Sequence, residues 1–186
     1  AEGERSMKRI VVTGGAGFIG SCYVRYALKT YPDLHVVTVD KLTYAGNLDN
    51  LKEVDQKRHT FVKADIADAA AMEKAMEGCD AVVNFAADSH VDRSIMEASD
   101  PLNPRNPYSA SKAGGELLGM SYFHTFDSPV IVTRGSNTYG PFQYPEKVMP
   151  LFITNAIDDQ PLPLYGDGKN VRDWLFVEDH ARGIDH

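Results

Sequence analysis

The sequence predicts an α/β fold built on a doubly wound parallel sheet, and three observations carry that expectation. Short β-branched runs alternate with longer helical stretches through the first half of the chain. A glycine-rich turn joins the first run to the first helical stretch. An acidic residue, Asp40, closes the second run twenty residues after the last glycine of that turn. Strands that alternate with helices pair in parallel, and right-handed crossovers then wind helices onto both faces of the sheet.

Taken in order, Arg9 to Thr13 (RIVVT) reads as a buried strand and Phe18 to Thr30 as a helix. His35 to Val39 (HVVTV) is a second strand running into Asp40. Thr60 to Lys63 is a third, with Asp65 just beyond its end. Ala69 to Gly78 reads as a helix stopped by glycine, and Ala81 to Ala87 (AVVNFAA) as a fourth strand. Ser109 to Phe123 is helical, and Pro129 to Thr133 (PVIVT) is expected to be another buried strand. Met149 to Ile157 is helical, Asp158 to Arg172 is polar and irregular, and a last helix begins near Glu178. Ala1 to Ser6, ahead of Met7, are set aside as a frayed start.

Composition bounds the rest. A chain of 186 residues with 43% apolar content can bury an ordinary core. A net charge of −7 argues against nucleic acid or an anionic membrane as partner, because both call for basic patches. Two cysteines, Cys22 and Cys79, make no disulfide framework and fit a cytoplasmic setting. No apolar run approaches the length of a membrane span, and no secretory signal is present.

The turn Thr13-Gly14-Gly15-Ala16-Gly17-Phe18-Ile19-Gly20 contains both GxGxxG and GxxGxxG. Gly14 permits the tight turn, Gly17 lets the backbone approach a diphosphate, and Gly20 lets helix pack on strand. The diphosphate then meets free N–H groups at a helix N-terminus. This Rossmann arrangement points to a dinucleotide. Asp40 would accept hydrogen bonds from the adenosine ribose and repel a 2′-phosphate, which favours NAD over NADP. Lys41 pulls the other way, since a basic neighbour can receive a phosphate. A solvated strand-end carboxylate is the plain reading of Asp40.

Tyr108-Ser-Ala-Ser-Lys112 is YxxxK, which places phenol and ammonium on one helix face. The ammonium would stabilise the phenolate and lower its pKa, so that Tyr108 could take a proton from a sugar hydroxyl while NAD accepts a hydride. A surface helix pair is the plain alternative.

TGGAGFIG together with YSASK resembles the extended short-chain dehydrogenase/reductases that act on nucleotide sugars. The blocks DKLTYAGNLDNL, NFAADSHVDRSI, RGSNTYGPFQYPEKVMP and LPLYGDGKNVRDWLFVEDHARG cover most of the chain and resemble the branch that dehydrates dTDP-glucose. Family members carry Glu in place of Asp88 and Asn in place of Thr138.

The resemblance implies NAD as cofactor, a nucleotide sugar, dTDP-glucose, as substrate, and a homodimer. By similarity, Phe18 and Ile19 lie over the pyrophosphate, and Asp40, Lys41, Leu42 and Thr43 line the adenosine ribose. Asp65 and Ile66 contact adenine. Phe85, Ala86, Ala87 and Ser89 line the nicotinamide half, with Thr138 also at the cofactor. Tyr108 is the base and Lys112 its tuner. Ser89, Asn137, Lys147, Val148, Met149, Pro163, Tyr165 and Arg172 match positions that hold the substrate. Arg172 suits phosphate oxygens through its planar fork, whereas pairing with Asp173 or Glu178 would leave it a surface residue. The implied order is an NAD-binding domain over 7–140 and the start of a nucleotide-sugar region over 141–186.

The resemblance also exposes a gap. Elimination in this family uses a Thr-Asp-Glu triplet, and the chain contains none. Only twenty residues separate Ala87 from Tyr108, too few for the helix and fifth strand that a parallel crossover needs there. The expectation is that residues are missing between about Ile95 and Arg105, where SDPLNPRNP joins one loop to another. Two other readings stay open: a nucleotide-sugar 4-epimerase or decarboxylase on the same scaffold, and a dinucleotide-binding fragment without catalysis.

Overall fold

β-Branched residues dominate the first two strands because both faces of each are covered. In the computed structural model, which describes residues 7–87, 107–164, 166–169 and 171–186, β1 (Arg9–Thr13) pairs in parallel with β2 (His35–Asp40). β3 (His59–Lys63) adds to β2, and β4 (Ala81–Asn84) adds to the other side of β1. The order is β3-β2-β1-β4, all parallel. Alternate side chains serve opposite faces. Ile10 and Val12 join a cluster with α1 (Phe18–Thr30), while Val11, Val37 and Val39 pack with Ala75 of α2 (Ala69–Met76). Each wholly buried valine here contributes about 1.5–3 kcal/mol. Helices on both faces make the sheet doubly wound, as the alternation of elements requires.

The chain divides into two units, Ala1–Ala87 with Asn137–His186, and Asp88–Ser136. The second stretch of the first unit supplies a parallel pair of three-residue strands, β5 (Asn137–Tyr139) and β6 (Trp174–Phe176), with α4 (Val148–Ile157) between them. α5 (Val177–Asp185) follows and packs on α1, burying Val177 and Ala181 completely. The Asp185 carboxylate accepts hydrogen bonds from Tyr26 and Tyr31 of that neighbouring segment, at 3.2 and 2.6 Å. The other unit holds α3 (Pro107–Phe126) and the extended chain that returns beside it. There Arg134 pairs with Glu116 at 2.5 Å, and Val130 leaves little space over Gly119.

Two expectations are corrected. Pro129 to Thr133 forms no strand, and Ile131 is 91% exposed. A buried strand needs hydrogen-bonding neighbours, and among the described residues no strand pairs with the outer edge of β4. The fourth strand is also shorter than expected, ending at Asn84, although the Phe85 N–H still donates to the Thr13 carbonyl at 3.0 Å. The three-residue strands β5 and β6 went unread because so few residues carry no periodicity. The 95–105 segment lies outside the described residues. Among the described residues, no helix is long and apolar enough to cross a membrane.

Candidate functional site

Three strand ends converge on the glycine turn. β1 delivers it, β2 ends at Asp40, and β4 runs into Phe85 and Ala86 beside it. Gly14 takes a positive φ of 65°, and a Cβ there would lie 2.6 Å from the Ala86 nitrogen. A Cβ on Gly15 would lie 2.6 Å from the Thr38 methyl, and one on Gly20 would run into the Gly14 carbonyl. The protein's own packing therefore accounts for glycine at these three positions. Gly17 differs: its nearest neighbour is the Gly14 oxygen at 3.2 Å, a distance that a shift of a few tenths of an ångström relieves. Internal packing thus constrains Gly17 less than the other three, which leaves its glycine available for the close backbone approach that a dinucleotide turn requires.

Gly17 is also the N-cap of α1 and gives that helix no side-chain cap. The positive end of the helix dipole therefore carries no side-chain cap from its N-cap residue. A diphosphate fits such a place, so the residues present suit a dinucleotide.

Asp40 is 9% exposed and holds this corner together. One carboxylate oxygen accepts the Ala16 N–H at 3.0 Å, and the other accepts the Leu42 N–H at 2.8 Å. Leu42 itself takes a positive φ of 56° as the chain leaves β2. Lys41 pairs with Asp65 at 2.6 Å, bringing together two of the expected adenosine contacts. Lys41, and the Ala67 N–H at 3.1 Å, hold the Asp65 carboxyl below the usual carboxylate range. Thr43 lies in the turn closed by the Gly46 N–H at 3.1 Å, and Ile66 is exposed. The Phe85 ring packs against Tyr23, centroids 5.6 Å apart.

Of the expected substrate residues, Asn137, Lys147, Val148, Met149, Pro163 and Arg172 fall on the later part of the same unit. Asn137 and Thr138 are on β5, and Thr138 Oγ1 lies 2.9 Å from His180 Nδ1. Lys147 is the N-cap of α4, pairs with Glu146 at 3.0 Å, and is followed by Val148 and Met149. Arg172 donates to the Val171 carbonyl at 2.7 Å, and Pro163 lies in the irregular stretch before β6. Tyr108 and Lys112 occupy adjoining turns at the start of α3. Burial pulls the Lys112 ammonium below the ordinary lysine range. Ser89, Tyr165 and the side chain of Tyr108 lie outside the described residues.

Sequence reasoning missed Asn47 and Asn50. A 3-10 helix at Leu48–Leu51 is capped by Asn47, whose side chain accepts the Asp49 N–H at 2.9 Å. Asn50 is 7% exposed and reaches back to the glycine turn. Asn preceding a short apolar-polar repeat was a readable cap signal; the contact with the turn was not.

Residues 95–186 match the model of the NAD dependent epimerase/dehydratase family, and residues 11–100 match that of GDP-mannose 4,6 dehydratase. The low-salt glycan biosynthesis protein Agl12 of Haloferax volcanii is 43% identical, over 95% of this chain and 71% of its own. That alignment runs over 222 residues, so the relative carries stretches with no counterpart in these 186. Among the similar solved structures are two dTDP-glucose 4,6-dehydratases with NAD bound. The Bacillus anthracis enzyme has a TM-score of 0.88 at 40% identity, covering 95% of this chain and 70% of its own. The Streptomyces venezuelae enzyme has a TM-score of 0.87 at 41% identity with the same coverage.

Proposed function

The chain belongs to the NAD-dependent epimerase/dehydratase family, and on that premise we propose that it is an NAD-dependent lyase converting dTDP-glucose to its 4-keto-6-deoxy product. The observation that carries this is the likeness, at 40% and 41% identity, to two dTDP-glucose 4,6-dehydratases solved with NAD. The uncapped, glycine-lined start of α1 supports the same cofactor.

Held there, NAD would supply a hydride acceptor for the sugar's C4 and a hydride donor for C6, and so would end each turnover as it began. The glycine turn would orient it through backbone N–H groups, with the corner around Asp40 and the Lys41–Asp65 pair bordering the adenosine. Tyr108 would take the C4 hydroxyl proton, helped by the Lys112 ammonium four residues on. The resulting ketone acidifies C5–H, which prepares loss of water across C5 and C6. Lys147 and Arg172 would balance the diphosphate charge, Arg172 through paired donors.

The setting would be cytoplasmic deoxysugar biosynthesis, which the two free cysteines support. A homodimer through α3 is part of the proposal, because Leu117, Leu118, Tyr122 and Phe126 present exposed apolar surface on that helix.

A second reading has its own observation. The chain contains no Thr-Asp-Glu triplet, and no described strand covers the outer edge of β4. A protein of just these residues would bind the dinucleotide without dehydrating a sugar. Intact mass separates the two: a mass well above that of 186 residues restores the enzyme.

The direct test incubates the protein with dTDP-glucose and NAD and follows the alkaline absorbance of a 4-keto-6-deoxy sugar. Formation of that product is expected. An epimerised sugar without dehydration would overturn the assignment.

A further inference from the structure

We infer that Asn50 is a positioning residue for the dinucleotide, one that sets the orientation of the glycine turn without touching the ligand. The inference rests on the NAD reading above. It starts from Ala16, which is fully buried at the middle of the turn. Its N–H donates to the Asp40 carboxylate at 3.0 Å. Its carbonyl accepts twice, from the Asn50 side-chain amide at 2.9 Å and from the Asn47 N–H at 3.0 Å. That carbonyl and the Gly17 N–H belong to one rigid peptide plane. The Gly17 N–H donates to Gly14 at 3.1 Å, and Gly17 is the cap from which α1 starts. Holding the Ala16 carbonyl inward therefore sets the direction of the first-turn amides that would meet a diphosphate.

Asn50 is itself held from the same helix. Arg25 of α1 donates to the Asn50 carbonyl at 2.7 Å, and its guanidinium lies 4.5 Å over the Phe142 ring. The Asn50 N–H donates to Asn47 at 3.1 Å, which keeps both donors to Ala16 on one short helical turn. The loop after β2 and the second half of α1 thus close a ring of hydrogen bonds around the glycine turn. The Ala16 residue is fully buried, so the Asn50 amide occupies the second acceptor site of its carbonyl beside the Asn47 N–H, where water does not substitute for it.

The test compares the full chain with Asn50→Asp, which keeps the shape but sets an acceptor against the Ala16 carbonyl, and with Asn50→Ala, which removes the amide. Two readouts are taken: titration with NAD and with dTDP, and amide hydrogen exchange without ligand. Both variants are expected to bind NAD about tenfold more weakly, the equivalent of losing one buried hydrogen bond. Binding of dTDP should stay within about twofold, and saturating NAD should restore turnover. Without ligand, exchange should speed up across residues 14–21 and leave β3 and α4 unchanged. NAD affinity within about twofold of the unaltered chain overturns the inference, as does a uniform rise in exchange, which would mark a general structural role. If the unaltered chain binds no NAD, the functional reading fails on its own account. The local exchange pattern then still decides whether Asn50 holds the turn.

Discussion

Tyr44 and Tyr144 meet edge to face, with ring centroids 5.6 Å apart and planes at 80°. Tyr44 lies in the loop that follows β2 and borders the glycine turn, while Tyr144 lies three residues before the N-cap of α4. The contact ties the cofactor side of this unit to the segment expected to hold the sugar nucleotide. A double-mutant cycle with Tyr44→Ala and Tyr144→Ala should give a coupling of about 0.5–1.5 kcal/mol in denaturant unfolding. Additive effects would mean that the loops are held independently.

Gly17→Ala and Gly20→Ala should fail in different ways. The Gly20 Cβ would run into the Gly14 carbonyl, so this variant should lose about 1–3 kcal/mol of stability and melt early. The Gly17 Cβ needs a shift of a few tenths of an ångström, so that variant should fold near normally yet bind NAD weakly. Thermal melting beside NAD titration checks both. Equal loss of stability in the two would contradict the ligand-side role of Gly17.

His59 gives the fold an acid-side weakness. Its ring is buried, with Nε2 2.9 Å from Thr38 Oγ1. Burial, and then the neighbouring His35, push its pKa below the ordinary 6.5. Above that value the ring is neutral whether folded or not, and its full contribution is present. As pH falls below it, the unfolded chain takes up the proton first, and stability is lost until the folded pKa is passed. Burial lowers His35 and His180 in the same direction, which deepens the slope. Urea midpoints should therefore fall between about pH 7 and pH 5, and less so in His59→Gln. An unchanged slope in that variant would remove His59 from the account.

Tyr108→Phe should lower turnover by on the order of 100- to 10,000-fold while leaving NAD and dTDP binding intact, the mark of a lost proton acceptor. Because burial lowers the Lys112 pKa, the alkaline limb of the rate profile should begin earlier than for an exposed lysine. Lys112→Arg keeps its charge there and should move that limb upward in pH. A profile indifferent to Lys112 would separate the pair.

The sequence alone determined what short-range physics determines. RIVVT and HVVTV are strands because consecutive β-branched residues suit a sheet covered on both faces. Gly14 to Gly20 make a turn opening a helix because both glycine spacing and helical period are local. Asp40 was legible as the acid at the end of β2. Only the tertiary structure decided what Asp40 does there, gripping Ala16 and Leu42 with both oxygens. It alone brought Asn50 to a peptide thirty-four residues earlier in the chain. It also overruled PVIVT, whose residues favour a strand but find no sheet partner among the described residues. Propensity is a property of a segment, whereas a hydrogen-bonded neighbour is a property of the fold, and a strand or a buried amide needs both.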